Sequence, residues 1–222
     1  MPDDARPTYH HGNLRAALLD AGEAELAETG PEAFSLRRVA KRAGVSHAAP
    51  AHHFGGARGL LAALATRGFE RLVASQDARR ADAPDTPEGR LMADGLGYVD
   101  FALEHTALFR LCFSSALPDP ADPALADAGE GAFMRMVRAV ADVTGAMPDF
   151  VSPEGMATPL RVWAGTHGIA DLMAGGKMRF AADLGPAARD RLVRAMLGPI
   201  LPRDATPPAP PAPAGGQDAP VG

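Results

Sequence analysis

The chain has 222 residues, of which 46% are apolar and 5% aromatic, and its formal net charge is −5. This length allows one large or two small domains, and the acidic balance argues against a protein that binds nucleic acid with its whole surface. The one cysteine, Cys112, excludes an internal disulfide framework and a zinc site built from several cysteines.

The sequence contains no sign of export or of membrane insertion. Its N-terminal residues lack the basic segment and apolar run of a secretory signal, and no apolar stretch approaches the about 18 residues of a membrane span. A single cysteine also suits a reducing compartment. We therefore expect a cytoplasmic protein with no membrane partner.

The first helix is predicted over Asn13–Thr29 and is expected to end at Gly30 and Pro31. Before it, residues 1–8 are polar and carry two prolines, so we expect a disordered arm. Apolar residues recur along one face of this helix and are expected to point into the core: Leu14, Leu18, Ala21 and Leu26.

Residues 35–54 predict two short helices joined by a tight turn, which is the form of a helix-turn-helix. Four apolar residues share one face of the first helix, and four basic residues fill the other: Leu36, Val39, Ala40 and Ala43 against Arg37, Arg38, Lys41 and Arg42. Gly44 stands where the helix end needs left-handed backbone, and Ser35 and Ser46 are predicted to cap the two helices. Counted from Ser46, Pro50 is the fourth helical residue, where it forfeits one hydrogen bond.

The charge of this segment differs from that of the whole chain. From Ser35 to Arg58 there are four Arg, one Lys and no acidic residue, which gives +5 in 24 residues. A local basic patch on an acidic protein is typical of a DNA-binding surface, although basic runs also form ordinary solvated helix faces. The surrounding helix-turn-helix pattern favours DNA.

The rest of the chain is predicted to be helical, because it lacks the alternating β-branched pattern of strands. A fourth helix is expected over Ala57–Ala81, followed by a break with Thr86 as a cap. Further helices are predicted at Arg90–His105, Ala107–Leu117, Leu125–Thr144, Met156–Ala174 and Pro186–Ile200. The fold class is therefore all-α, with about nine helices.

Several motifs occur in the order and spacing of TetR-type transcriptional regulators, and residues 9–64 resemble the DNA-binding domain of that family. The resemblance rests on Tyr9–Arg15 (YHHGNLR), Gly44–Ser46 (GVS), His52–Phe54 (HHF) and Leu60–Leu64 (LLAAL). A weaker likeness, in Tyr98–His105 and Trp163–Gly168 (WAGTHG), is similar to the Trp…His-Gly subgroup of the family.

The resemblance implies a homodimeric repressor that is released from a pseudo-palindromic double-stranded DNA operator by a small-molecule effector. It implies a helix-turn-helix domain with its connecting fourth helix at 9–82 and a ligand-binding and dimerisation domain at 88–201. In the family, the last two helices form the dimer interface. Small residues of the penultimate helix would permit close approach there, or would pack within one subunit: Ala164, Gly165, Gly168 and Ala170. No cofactor or metal is implied.

The tail at 202–222 holds seven prolines in 21 residues. It has too few large apolar side chains to order itself, so we expect it to be disordered. A polyproline ligand for another protein is the less favoured alternative.

Within this reading the DNA contacts divide by chemistry. Short polar side chains and imidazoles suit base edges, and the predicted base contacts are Ser46, His47, Ala48 and His52. Contacts to phosphates position a protein on DNA without reading the base sequence. The predicted phosphate contacts are Ser35, Arg37, Arg38, His53 and Arg58. Each histidine has an alternative role on the surface or in a cap.

A ligand pocket in the C-terminal half is predicted from large flexible or aromatic side chains: Met92, Phe101, Phe113, Met134, Val137, Trp163 and His167. The same residues at helical spacing also suit a plain apolar core. His167 could supply one polar group to the pocket or bind a backbone carbonyl.

Two alternatives to an operator-binding repressor remain open. Ala51 and Ala57 stand where the family commonly has Tyr and Lys, so the chain could be a helical ligand-binding or protein-interaction dimer that has lost operator binding. An enzyme is the other alternative, since Cys112 and His105 fall on nearly one helical face. A cysteine among apolar residues is more often plain packing, and no phosphate-binding or dinucleotide glycine motif is present, so no enzyme is expected.

Overall fold

The computed structural model describes residues 11–203, without the side chains of residues 11–13 and 182. Within this range the chain is all-α, as predicted, with ten helices and no strand. In chain order they are α1 His11–Thr29, α2 Leu36–Arg42, α3 Ala49–Phe54, α4 Ala57–Ala81, α5 Pro87–Glu104, α6 Thr106–Ser114, α7 Pro123–Thr144, α8 Pro153–Ala174, α9 Arg179–Ala182 and α10 Pro186–Leu197. The predicted arm at 1–8 and nearly all of the predicted tail lie outside the described residues.

The sequence expectation of about nine helices misses only α9, which has four residues. A single helical turn is too short for an apolar period to be visible. Several predicted helices also begin two or three residues too late, because α5, α7 and α8 start at Pro87, Pro123 and Pro153. Proline is well tolerated in the first turn, where its missing N–H has no intrahelical partner.

The long helix α4 holds the fold together, because it packs against α1, α3, α5, α6 and α7. One apolar core runs without interruption from Leu18 on α1 through Leu64 on α4 to Leu197 on α10. The helices α4 and α5 approach closely at Gly97, where an added Cβ would lie 2.6 Å from the Cα of Gln76. Only a glycine allows this separation.

The turn between α2 and α3 confirms one prediction and corrects another. Gly44 has φ of 69°, in the left-handed region expected after a helix end. The prediction that Ser46 caps the recognition helix is wrong, because α3 begins at Ala49 and no side chain caps it. Pro50 is therefore its second residue and not its fourth. Lacking an N–H, it cannot donate to the carbonyl of Ser46, and Ala49 does so instead at 3.0 Å in a tighter turn.

The other predicted caps differ in outcome. Thr86 accepts a hydrogen bond from the Gly89 N–H at 3.1 Å and caps α5 as expected. Ser35 occupies the N-cap position of α2 but makes no side-chain cap. Its hydroxyl therefore lies at the helix start without the hydrogen bond that the sequence suggests.

Candidate DNA-binding surface and internal cavity

The recognition helix α3 and the turn before it present most of the predicted DNA-contact residues to solvent. Pro50 is buried and fixes the inner side of the helix, while His53 is half-buried. Five positions of this region are exposed: Ser46, His47, Ala48, Ala51 and His52. The predicted base-contact residues are thus all exposed, although Ser46, His47 and Ala48 lie in the turn before the helix.

Two contacts orient α3 against its neighbours. The guanidinium carbon of Arg15 on α1 lies 5.2 Å from the centre of the Phe54 ring, a cation–π distance. On the other side, an added Cβ at Gly59 would lie 1.9 Å from the carbonyl oxygen of Phe54, so the start of α4 sits directly on the end of α3.

The first turn of α4 lies beside this surface. It begins after Gly55 and Gly56, which have φ of 70° and 130°, and no side chain caps it. Its first N–H groups have no partner inside the helix, and the positive end of the helix dipole favours an anion there. Ala57 and Arg58 are both exposed.

The basic residues of α2 fall into two groups. Arg38 Nε donates to the buried carboxylate of Glu25 at 2.6 Å, and Arg42 Nη2 donates to Glu28 at 2.5 Å, so both tie α2 to α1. Arg37 is exposed and has no side-chain hydrogen bond within residues 11–203. Of the predicted phosphate contacts on this helix, Arg37 is thus available to a partner, whereas Arg38 already has a structural role.

A cavity of about 480 Å³ lies between α4, α5, α6, α7 and α8. Its wall is mostly apolar, with a few polar groups. The lining residues are Phe69, Leu72, Gln76, Leu91, Asp94, Gly95, Tyr98, Phe113, Gly129, Glu130, Ala132, Phe133, Met136, Val162, Trp163, Thr166 and Leu201. Its size is within the usual range for a site that encloses a small molecule.

Two of the seven residues predicted for a pocket, Phe113 and Trp163, line this cavity. Phe101 and Val137 are fully buried in the core and do not reach it. Met92 and Met134 are half-buried outside its wall. The helical period identifies inward faces, but core and cavity share those faces, so the sequence alone did not separate them.

His167 does not line the cavity, but it is hydrogen-bonded to a residue that does. A hydrogen bond of 2.9 Å joins its Nδ1 to the hydroxyl of Tyr98, which does line the wall. Burial lowers the pKa of His167 and raises the pKa of Tyr98. The hydrogen-bond partner of His167 is therefore the Tyr98 side chain and not a backbone carbonyl. Tyr98, and not His167, supplies the polar group of the wall.

The sequence reasoning missed the polar residues of the wall. Asp94 is 4% exposed and is held by Arg80 and Arg135, with 2.6 Å from Arg80 Nε and 3.3 Å from Arg135 Nη2 to its Oδ1 atom. Gln76 and Thr166 are equally buried. The sequence signal that could have identified these residues is a polar side chain that recurs at helical spacing within an otherwise apolar helix face.

The pair considered for an enzyme does not form a reactive site. The Sγ atom of Cys112 donates to the carbonyl oxygen of Ala65 at 3.3 Å, and burial raises the pKa of the thiol to about 12. The ring of His105 instead lies against Phe101 and near Arg71. A buried thiol with a raised pKa is a poor nucleophile. In the described range no cluster of metal-binding side chains occurs, and no helix is long and apolar enough to cross a membrane.

Comparison with known proteins agrees with this geometry. A model described as "Bacterial regulatory proteins, tetR family" matches residues 18–64, and one described as "Tetracyclin repressor-like, C-terminal domain" matches residues 91–197. A search of curated proteins gave no match.

Similar folds occur among solved structures. A protein of unknown function from Rhodococcus sp. RHA1 is 34% identical, with a TM-score of 0.69 over 88% of this chain and 97% of its own. The TetR family regulator PfmR from Thermus thermophilus is 21% identical, with a TM-score of 0.55 over 83% and 96%. The fatty acid degradation regulator FadR from Bacillus halodurans is 14% identical, with a TM-score of 0.61 over 82% and 97%. The last two show likeness of fold alone.

The two matched models cover the helix-turn-helix and the helices α5 to α8 around the cavity, but not the part of α4 that lines it. These regulators act by binding DNA and not as enzymes. The chain belongs to the TetR family of DNA-binding transcriptional regulators.

Proposed function

We propose that this regulator is a homodimeric repressor, released from a pseudo-palindromic operator by a small molecule that enters the cavity. The observation that carries the proposal is the course of α4. This helix begins three residues after the end of α3, and further along it lines the cavity with Phe69, Leu72 and Gln76. Its 25 residues span about 37 Å, so one rigid element joins the cavity to the recognition helix.

Control then requires a ligand that prefers one position of α4. In a dimer, the two recognition helices must match half-sites separated by about 34–36 Å or a multiple of it. A ligand that favours a different separation would lower operator affinity by at most the ratio of its affinities for the two positions of α4. A ligand with equal affinity for both positions would change nothing.

On the DNA side, the base contacts in this proposal are Ser46, His47, Ala48 and His52. Arg37 and Arg58 are exposed cations suited to phosphates, with weaker contributions from Ser35, His53 and the partly engaged Arg38. The uncapped first turn of α4 offers backbone N–H groups to a phosphate. It would compensate in part for the short side chains at Ala51 and Ala57.

The dimer interface in the proposal involves α8 and α10. Four residues spaced by four along α8 form one outward row: Leu160, Ala164, Gly168 and Leu172. Leu160 and Leu172 are 42% and 45% exposed, and an added Cβ at Gly168 would meet nothing within 4 Å. Such a row suits isologous packing against a second copy. Gly165 and Ala170 instead pack within the subunit, since a Cβ at Gly165 would lie 2.7 Å from Ile200 and Ala170 is fully buried.

Membership in the Trp…His-Gly subgroup is also part of the proposal. Trp163 and His167 lie one turn apart on α8 with ring centres 6.4 Å apart, and Gly168 follows. A cytoplasmic location completes it, because a regulator of this kind must reach chromosomal DNA.

The test uses the complex of the protein with labelled DNA from upstream of its own gene. Compounds are screened for loss of that complex, and Ala132→Phe, which fills the cavity, is compared with Ala126→Phe at an exposed position of the same helix. We expect both variants to bind the DNA, and only Ala132→Phe to become insensitive to a releasing compound. Equal sensitivity of the two variants would contradict control through the cavity. A dimer without salt-sensitive DNA binding would favour the alternative of a helical module that has lost its operator.

A further inference from the structure

We propose that the cavity selects an uncharged aromatic molecule that carries a hydroxyl group, and that it discriminates against anions and amines. This inference rests on the proposed function, in which the cavity is the effector site. It adds the chemical class of the effector, argued from the side chains of the wall.

The aromatic preference follows from the composition of the wall. Aromatic residues make up 5% of the chain, yet five of them line this one cavity: Phe69, Tyr98, Phe113, Phe133 and Trp163. Four of them form two edge-to-face pairs, with ring centres 5.5 Å apart for Phe69 and Phe113 and 6.0 Å apart for Phe133 and Trp163. Ring faces and edges that converge on one space favour a further aromatic ring.

The charge preference follows from the ionisable groups. Asp94 and Glu130 line the cavity, and its described wall contains no Lys or Arg. A ligand carboxylate would therefore lose its hydration and find no cation in the wall, which is costly in a mostly apolar space. An amine gains little in return, because Arg80 and Arg135 already balance Asp94 and Glu130 is exposed.

The hydroxyl preference follows from two polar side chains that are both 6% exposed, Thr166 and Gln76. Thr166 belongs to the wall, and its hydroxyl oxygen is not among the fully buried atoms that lack a partner in the described structure. Gln76 Nε2 donates to the carbonyl of Asp94 at 3.4 Å, which leaves its Oε1 atom without a donor in the described structure. The buried, unpaired Oε1 atom of Gln76 costs free energy until a donor reaches it. A ligand hydroxyl can both donate and accept.

The experiment measures binding to the free protein, without DNA. Four probes share one ring system: biphenylmethanol, biphenylcarboxylate, biphenylmethylamine and methylbiphenyl. Trp163 is the only tryptophan of the chain and lines the cavity, so its fluorescence reports occupation, with calorimetry as a second readout. Thr166→Val removes the hydroxyl at constant shape, and Thr158→Val is the matched control on the same helix, outside the cavity wall.

We expect the alcohol to bind most tightly and the carboxylate at least about tenfold more weakly. Thr166→Val should weaken the alcohol about fivefold and leave methylbiphenyl unchanged, while Thr158→Val should change neither. Tightest binding of the carboxylate or amine, no binding of any probe, or an alcohol affinity indifferent to Thr166→Val would overturn the inference. If the alcohol binds as expected but does not release upstream DNA, the proposed ligand control fails while the ligand class stands.

Discussion

Arg37 and Arg38 are adjacent in sequence, yet their surroundings give them different roles. Arg38 balances the fully buried carboxylate of Glu25, whereas Arg37 is exposed. Arg37 is therefore expected to contribute to DNA affinity, and Arg38 to the stability of the fold. The sequence predicted both as phosphate contacts, because the helical period places both on the outer face of α2 and does not reveal that α1 brings Glu25 beside one of them.

The first prediction compares Arg37→Ala with Arg38→Ala. Arg37→Ala should weaken binding to any DNA and flatten the salt dependence by about 0.9 per lost phosphate contact, with unchanged stability. Arg38→Ala should lower the free energy of unfolding by about 1–2 kcal/mol, because Glu25 loses its closest cation while Arg42 remains 3.7 Å away. Anisotropy titrations over a salt series and urea unfolding measure the two effects. A loss confined to one DNA sequence for Arg37→Ala would contradict its phosphate role.

The recognition helix shows what local patterns can and cannot establish about a residue. Gly44 was predictable, since a glycine directly after an amphipathic helix has one common use. The start of α3 was not predictable, because serine is a common N-cap residue and Ser46 stands at a plausible cap position. Only the missing N–H of Pro50 prevents a regular helical hydrogen bond to the Ser46 carbonyl. Proline also explains why the starts of α5, α7 and α8 were predicted too late. Each of these helices begins at a proline, a residue that the sequence pattern suggested lay in the preceding loop.

Among the helices, the C-terminal end of α4 is fastened by an arginine clamp. Arg79 pairs with Asp100 on α5, and its Nη1 atom lies 2.6 Å from Asp190 Oδ2 on α10. The hydrogen bond from Arg79 lowers the pKa of Asp190. One side chain thus connects a cavity helix to a helix of the proposed dimer interface.

The second prediction concerns the pH dependence of this clamp. The folded pKa of Asp190 is lowered, so its contribution is complete above the unfolded value of about 3.9 and is lost as pH falls through the folded value. Asp190→Asn should therefore cost about 0.5–1 kcal/mol at neutral pH, a small value because the carboxylate is partly exposed, and progressively less below about pH 4. Urea unfolding at several pH values measures it.

Asp85→Asn is the control, because Asp85 also pairs with an arginine but its side chain is 99% exposed. It should have almost no effect at any pH. A cost of Asp190→Asn that persists unchanged in acid would show that the clamp acts by packing and not by charge.

For the whole molecule, the continuous core matters most. Helical periods and breaks were enough to predict an all-α protein and most of its elements, since each long helix carries its own apolar face. A pocket in the C-terminal half was also expected, but most of its lining residues were not, because the position of the cavity depends on how five helices meet. Glycines at contacts such as Gly97 set those separations, and their partners are distant in sequence.

The third prediction tests the outward row on α8. Leu172→Glu places a charge at one end of the outward row on α8, and it should convert the dimer to monomers and lower operator affinity about a hundredfold or more. Met147→Glu is the control, since Met147 is 52% exposed and lies in the loop after α7, outside the row. Sedimentation velocity measures the oligomeric state. A dimer that survives Leu172→Glu would place the interface elsewhere.

The most direct test of the account is a salt series of binding to labelled DNA from upstream of the gene, compared with a shuffled fragment of equal length. We predict binding to the upstream DNA about a thousandfold tighter or more, weakening steeply as salt rises while the preference persists. Equal affinity for both fragments at every salt concentration would contradict a repressor that reads an operator at this position.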